Sequence, residues 1–147
     1  MQGIFLLLAI LAGAALPVQF AVNSELRGAV GGPVTAAAIS FLVGTLALAA
    51  AVVIARQETP TLGGATQAPW WTWTGGLLGA FLVAASIILT PRLGAATTVT
   101  LVIAGQILTS IVLDHFGLLN LPVHVVTLPR IGGAVLVMIG VVLVLRS

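Results

Sequence analysis

Five apolar runs alternate with short polar or Gly/Pro-rich breaks along this chain, at about 3–22, 33–55, 70–90, 95–116 and 129–145. Each approaches the roughly 20 residues that an α-helix needs to cross the hydrocarbon core of a bilayer. The first break is Asn23-Ser-Glu-Leu-Arg-Gly-Ala-Val-Gly-Gly32. Pro33 then suits a first helical turn, where a missing N–H costs nothing. The most polar stretch, Arg56 to Ala68, carries Glu58, Pro60 and Gly63-Gly64 and reads as the main solvated loop. The third run opens with Trp70, Trp71 and Trp73. Their amphipathic rings favour the membrane–water boundary. Its end is expected at Thr90, because Pro91 disfavours helical geometry in the residue before it. The turn Pro91-Arg92-Leu93-Gly94 is so short that the third and fourth runs must form a hairpin. Thr127 is placed to cap the fifth.

Helices are the only element these runs allow, since an open sheet would leave backbone groups unpaired in lipid. The pattern therefore predicts an all-α, polytopic membrane protein with five transmembrane helices in a single domain over 1–147. The first run lacks a positively charged flank and is expected to be retained as a span, not cleaved as a leader. Composition agrees: 60% of residues are hydrophobic and 5% charged, against roughly 25% charged in a soluble domain. The sequence pI near 11.4 does not signal nucleic acid, because the net charge is only +2 and its carriers are scattered. There is no cysteine. Neither HExxH, a GxSxG elbow nor a phosphate-cradling loop is present. No enzyme activity and no cofactor are expected.

The basic residues are Arg27, Arg56, Arg92, Arg130 and Arg146, with no lysine. On a five-span topology Arg56 and Arg130 fall on the N-terminal side and the other three opposite. An excess of Lys and Arg on one side sets orientation, and here it is a single residue. One weakly specified orientation and dual insertion are both compatible with that balance. The second would allow copies to pair head to tail.

Small residues can bring membrane helices together. Ala36, Ser40 and Gly44 form such a face on the second run, Gly75 and Gly79 on the third, and Gly133 and Gly140 on the fifth. Polar groups at membrane depth are costly and mark function by default. Gln19 and Asn23 stand one turn apart beside Pro17, which frees the carbonyl of Gly13. They outline a ligand groove, although Asn23 would serve equally as a helix cap. Gln106, Ser110 and Asp114 repeat at i, i+4 and i+8 on the fourth run, behind Thr97, Thr98 and Thr100. Gln106 lies near mid-bilayer and points most directly to a polar cavity. Asp114 is either a proton or cation site or the partner of an interfacial arginine. His115 and His124 are too loosely related to argue a metal site. The substrate-binding set is thus Gln19, Asn23, Ser40, Gln106, Ser110 and Asp114.

Gln19-x-x-x-Asn23, Ile39-Ser-Phe-Leu-Val-Gly-Thr45, Trp73-Thr-Gly-Gly-Leu-Leu-Gly-Ala-Phe81 and Pro91-Arg-Leu-Gly-Ala95 also form a recognisable set. Together with Ala104-Gly-Gln106, Asp114-His-Phe-Gly117 and Arg130-Ile-Gly-Gly133, they resemble a little-characterised five-helix family of the drug/metabolite transporter superfamily. The resemblance covers essentially the whole chain and implies a bacterial inner-membrane protein. Larger members have ten helices in two inverted halves, so this chain would correspond to one half. The resemblance then implies a carrier working by alternating access as an antiparallel homodimer. Small multidrug-resistance proteins, similar in size, carry a glutamate in the first helix; Gln19 and Asn23 stand here instead. That favours a small polar or amphiphilic solute over proton-coupled export of cationic drugs. A small dual-topology channel and an accessory membrane subunit are the alternatives.

Overall fold

The computed structural model describes residues 2–57 and 62–146; Glu58 and Pro60 of the expected solvated loop lie outside them. Among the described residues there are helices and turns but no strand. Helix α1 is Gln2–Val30, α2 is Pro33–Ile54 and α3 is the short Leu62–Gln67. A 3₁₀ turn over Trp70–Thr74 leads into α4, Gly75–Leu93. Then come α5, Ala95–Phe116, a 3₁₀ turn at Leu118–Asn120, and α6, Leu128–Arg146. Five of these elements are long and apolar enough to cross a membrane, the 3₁₀ turn and α4 counting as one.

Two expected boundaries move. The first helix continues eight residues past Val22, through Asn23, Glu25 and Arg27, to Val30. Nothing in that stretch stops a helix until Gly31, whose φ of +83° is a left-handed conformation suited to glycine. Asn23 is therefore inside the helix and does not cap its end. The helix also runs through Pro17. The second shift is at α4, which passes Thr90 and includes Pro91 in its last turn. The preference against helix before proline is a bias, and one final turn overrides it. α2 and α5 fall where the apolar pattern puts them, and the part of the polar loop nearest the tryptophans winds into α3.

The chain forms two compact units, residues 18–91 and residues 1–17 with 92–147. In the first, the core is Ala36, Ala37, Val83 and Ile87, with Leu26, Val30 and Ala84 packed against it. The end of α1, the start of α2 and the middle of α4 meet there through alanines set among larger aliphatic side chains. Ala36 is fully buried, whereas Ala47 and Ala51 further along the same face are exposed. A β-carbon on Gly79 would lie 3.3 Å from the Phe41 ring, while one on Gly75 would meet nothing. Of that glycine pair, only Gly79 marks a close approach.

In the second unit α5 and α6 form an antiparallel hairpin. Gly117 ends α5 at φ +59° and donates its N–H to the Leu113 carbonyl, as left-handed helix ends commonly do. The following strap folds back onto the end of α5. The His124 N–H donates to the Asp114 carbonyl at 2.8 Å, and the Val126 N–H donates to His115 Nδ1 at 3.3 Å. That second bond requires His115 Nδ1 to be an acceptor. The Ile131 N–H then bonds the Thr127 carbonyl, opening α6. Gly133 and Gly140 touch nothing that a β-carbon would disturb, so the small face of α6 is open within the chain.

Candidate functional site

Gln19, Asn23 and Ser40 belong to the 18–91 unit. Gln19 on α1 and Ser40 on α2 line one cleft of about 210 Å³ with Phe41, Gly44 and Thr45. Gly44 leaves room beside Ser40, and the Thr45 hydroxyl is turned back to the Phe41 carbonyl at 2.8 Å. Asn23, one turn beyond Gln19, is only 4% exposed. Its Nδ2 has no hydrogen-bond partner among the described residues, and neither do Ser24 Oγ and Thr90 Oγ1. A buried donor without a partner costs about 1–3 kcal/mol. Such groups are rare in native proteins and call for a reason. Serine and threonine in membrane helices usually bond their own backbone, as Ser86 does to Val83 and Thr98 to Gly94. Ser24 and Thr90 depart from that habit in the same unit as Asn23.

Gln106, Ser110 and Asp114 belong to the other unit. Ser110 and Asp114 line a cleft of about 420 Å³ between α5 and α6, with Arg130 and Gly133 opposite and Ile107 and Val137 deeper along it. Arg130 Nη1 lies 3.3 Å from Asp114 Oδ2 and 3.4 Å from the His124 carbonyl. Of the two roles open to Asp114, pairing with an arginine is the one the structure shows. The side chains stay 41% and 32% exposed for Arg130 and Asp114, so the contact alone adds little stability. Gln106 lines none of these clefts and sits on an exposed face of α5. Among the described residues no group of three His, Asp or Glu side chains converges to hold a metal.

Sequence reasoning passed over Arg130 as a cleft residue. The signal was available in the 16-residue gap between Asp114 and Arg130, which a hairpin closes. It also passed over Thr90 and Ser24, because nothing in their local pattern separates them from back-bonded hydroxyls.

Known proteins resemble this chain in sequence. A family profile described as "Putative inner membrane exporter, YdcZ" matches residues 4–143. The "Inner membrane protein YdcZ" of Escherichia coli (strain K12) is 42% identical over 77 residues, which is 52% of this chain and 51% of that protein. The matched stretch thus spans about half the length of that relative. No solved structure matches the chain. With five membrane-capable helices and a family match leaving out only the first three and last four residues, the chain belongs to the YdcZ family of multi-pass inner membrane proteins.

Proposed function

We propose that the whole chain acts as one transmembrane domain and that two copies, inserted in opposite orientations, form a carrier for a small polar or amphiphilic solute. The observation that carries this reading is Asn23: a primary amide, buried within a membrane helix, whose nitrogen has no partner among the described residues. Gln19, one turn from Asn23 on the same helix, joins Ser40 in a neighbouring cleft of small-solute size whose lining does not include Asn23. An uncharged set of this kind suits a neutral or zwitterionic solute, since it offers donors and acceptors without fixed charge. Alternating access follows if the inverted pair exchanges conformations about the bound solute. The exposed Gln106 supports the pairing. A glutamine in an apolar span is costly against lipid and finds hydrogen bonds across helices, and a second copy would supply them.

The test is a thermal-stability screen of the purified protein against small zwitterions and amphiphiles. The stabilising compound then goes into proteoliposomes. A carrier gives saturable uptake accelerated by the same solute on the far side. Flux that grows linearly with concentration overturns the reading in favour of a channel. Orientation has its own test. One added lysine at either end of the chain should move the orientation ratio in opposite directions, read by labelling single introduced cysteines from each side of the membrane. A ratio that ignores single charges excludes dual insertion.

A further inference from the structure

The cleft between α5 and α6 has a polarity that the carrier reading does not use. On the α5 side it presents acceptors. The Ser110 hydroxyl donates to the Ile107 carbonyl at 2.9 Å, which spends its proton and leaves its oxygen able only to accept. One turn on, Asp114 adds a carboxylate. On the α6 side stands Arg130, a fork of five N–H donors that meets Asp114 by one nitrogen at 3.3 Å. Below both, the walls turn apolar at Ile107 and Val137, and Gly133 keeps the cleft open on the α6 side. Ile111 and Ala134 form the ridge separating it from a wholly apolar groove of about 540 Å³ on the other side of the hairpin.

The covering strap fixes the depth of this site. Leu118, Leu119, Leu121, Val123 and Val125 are all exposed, in a segment of the hairpin tip without a single charge apart from His124 when protonated. Apolar side chains of that kind settle at the headgroup–acyl boundary. The charges of Asp114 and Arg130 then stand at the level of lipid headgroups, beside apolar walls that face acyl chains.

We propose that this cleft is a binding site for a phospholipid with a primary-amine headgroup, the ammonium resting on Asp114 and Ser110 and the phosphodiester on Arg130. Two opposite charges side by side in the protein select a ligand with two opposite charges. A purely anionic headgroup would gain Arg130 and be repelled by Asp114. A trimethylated ammonium would bring the right charges but no N–H for the carboxylate and the hydroxyl to accept. The site is independent of solute carriage and stands whether or not that reading does.

Purified protein in detergent is titrated with phosphatidylethanolamine, phosphatidylcholine or phosphatidylglycerol of identical chains, with binding followed by native mass spectrometry and by the thermal midpoint. Phosphatidylethanolamine should bind at least tenfold more tightly than either of the others. Arg130→Gln and Asp114→Asn should each abolish that preference. Gly133→Leu fills the cleft where a β-carbon meets nothing, leaves the ion pair in place, and should remove the bound lipid. It carries the test where a charge variant does not fold. Equal affinity for the three lipids overturns the proposal, as does selective binding that survives Gly133→Leu. Glycerophosphoethanolamine, the same headgroup without chains, should give no shift at matching concentrations. An equal shift would make the ligand a soluble zwitterion and overturn the lipid assignment.

Discussion

An Asn23→Ala protein should fold almost normally and transport poorly. The amide nitrogen has no partner to lose among the described residues, so its removal relieves a desolvation cost of about 1–3 kcal/mol. The small void left behind costs a similar amount. The two offset, and the midpoint of thermal unfolding should correspond to a change of no more than about 1 kcal/mol. Transport has no such offset. Loss of one solute hydrogen bond at about 1.4 kcal/mol is a tenfold loss of affinity, so uptake at low solute concentration should fall about tenfold, and the solute-induced thermal shift with it. Uptake and stability that fall together would make Asn23 a structural residue. The solute-binding reading would then fail at its central group.

The second large effect belongs to Gly117. Any other residue there takes a left-handed backbone at φ +59°, a cost of about 1–2 kcal/mol. Its β-carbon would also stand 2.7 Å from Val123 Cγ2, and overpacking of this kind costs about 1–3 kcal/mol. Gly117→Ala should therefore destabilise the protein by about 2–5 kcal/mol and expose the 118–127 strap to protease. The two causes can be separated. Val123→Ala in the Gly117→Ala background removes the 2.7 Å overlap and leaves the backbone strain and a 3.3 Å approach to the Leu121 carbonyl, so only part of the loss should return. Full recovery would mean that neither the left-handed backbone nor the Leu121 carbonyl costs anything; no recovery would mean that Val123 yields freely around the new methyl.

The spans were legible because an apolar run of fixed length has one solution in lipid. Gly94, Gly117 and Pro33 punctuate α5 and α2 at the residues where those helices begin or end. The end of α1 was misread because polarity was taken for a break. Asn23, Ser24, Glu25 and Arg27 are polar, but none of them stops a helix, and the stop comes only at Gly31. Pro91 misled in the opposite direction, since a proline in a final turn forfeits few bonds. Spacing within single helices showed which polar groups share a face: Gln19 with Asn23, and Ser110 with Asp114. It could not show that Ser40 faces Gln19 or that Arg130 reaches Asp114, because contacts between helices depend on crossing geometry that local periodicity does not contain. Nor could it separate Ser86, bonded to its own backbone, from Thr90, which is buried without a partner among the described residues.

The length of α1 has a mechanical consequence. Its 29 residues at 1.5 Å each amount to about 44 Å of helix measured along its path, and the hydrocarbon core is about 30 Å thick. Any tilt that would hide the surplus is large, so the end of the helix, from Glu25 through Arg27 to Val30, projects beyond the acyl chains. Beyond Pro17 the helix runs on without a break from Val18 to Val30, and Gln19 and Asn23 ride on that part. On the proposed carrier reading, rocking at the depth of those amides would sweep that end through headgroups and solvent like a pointer on a dial. A probe attached at Ala29, outside the bilayer, would read the working stroke of the polar groups within it.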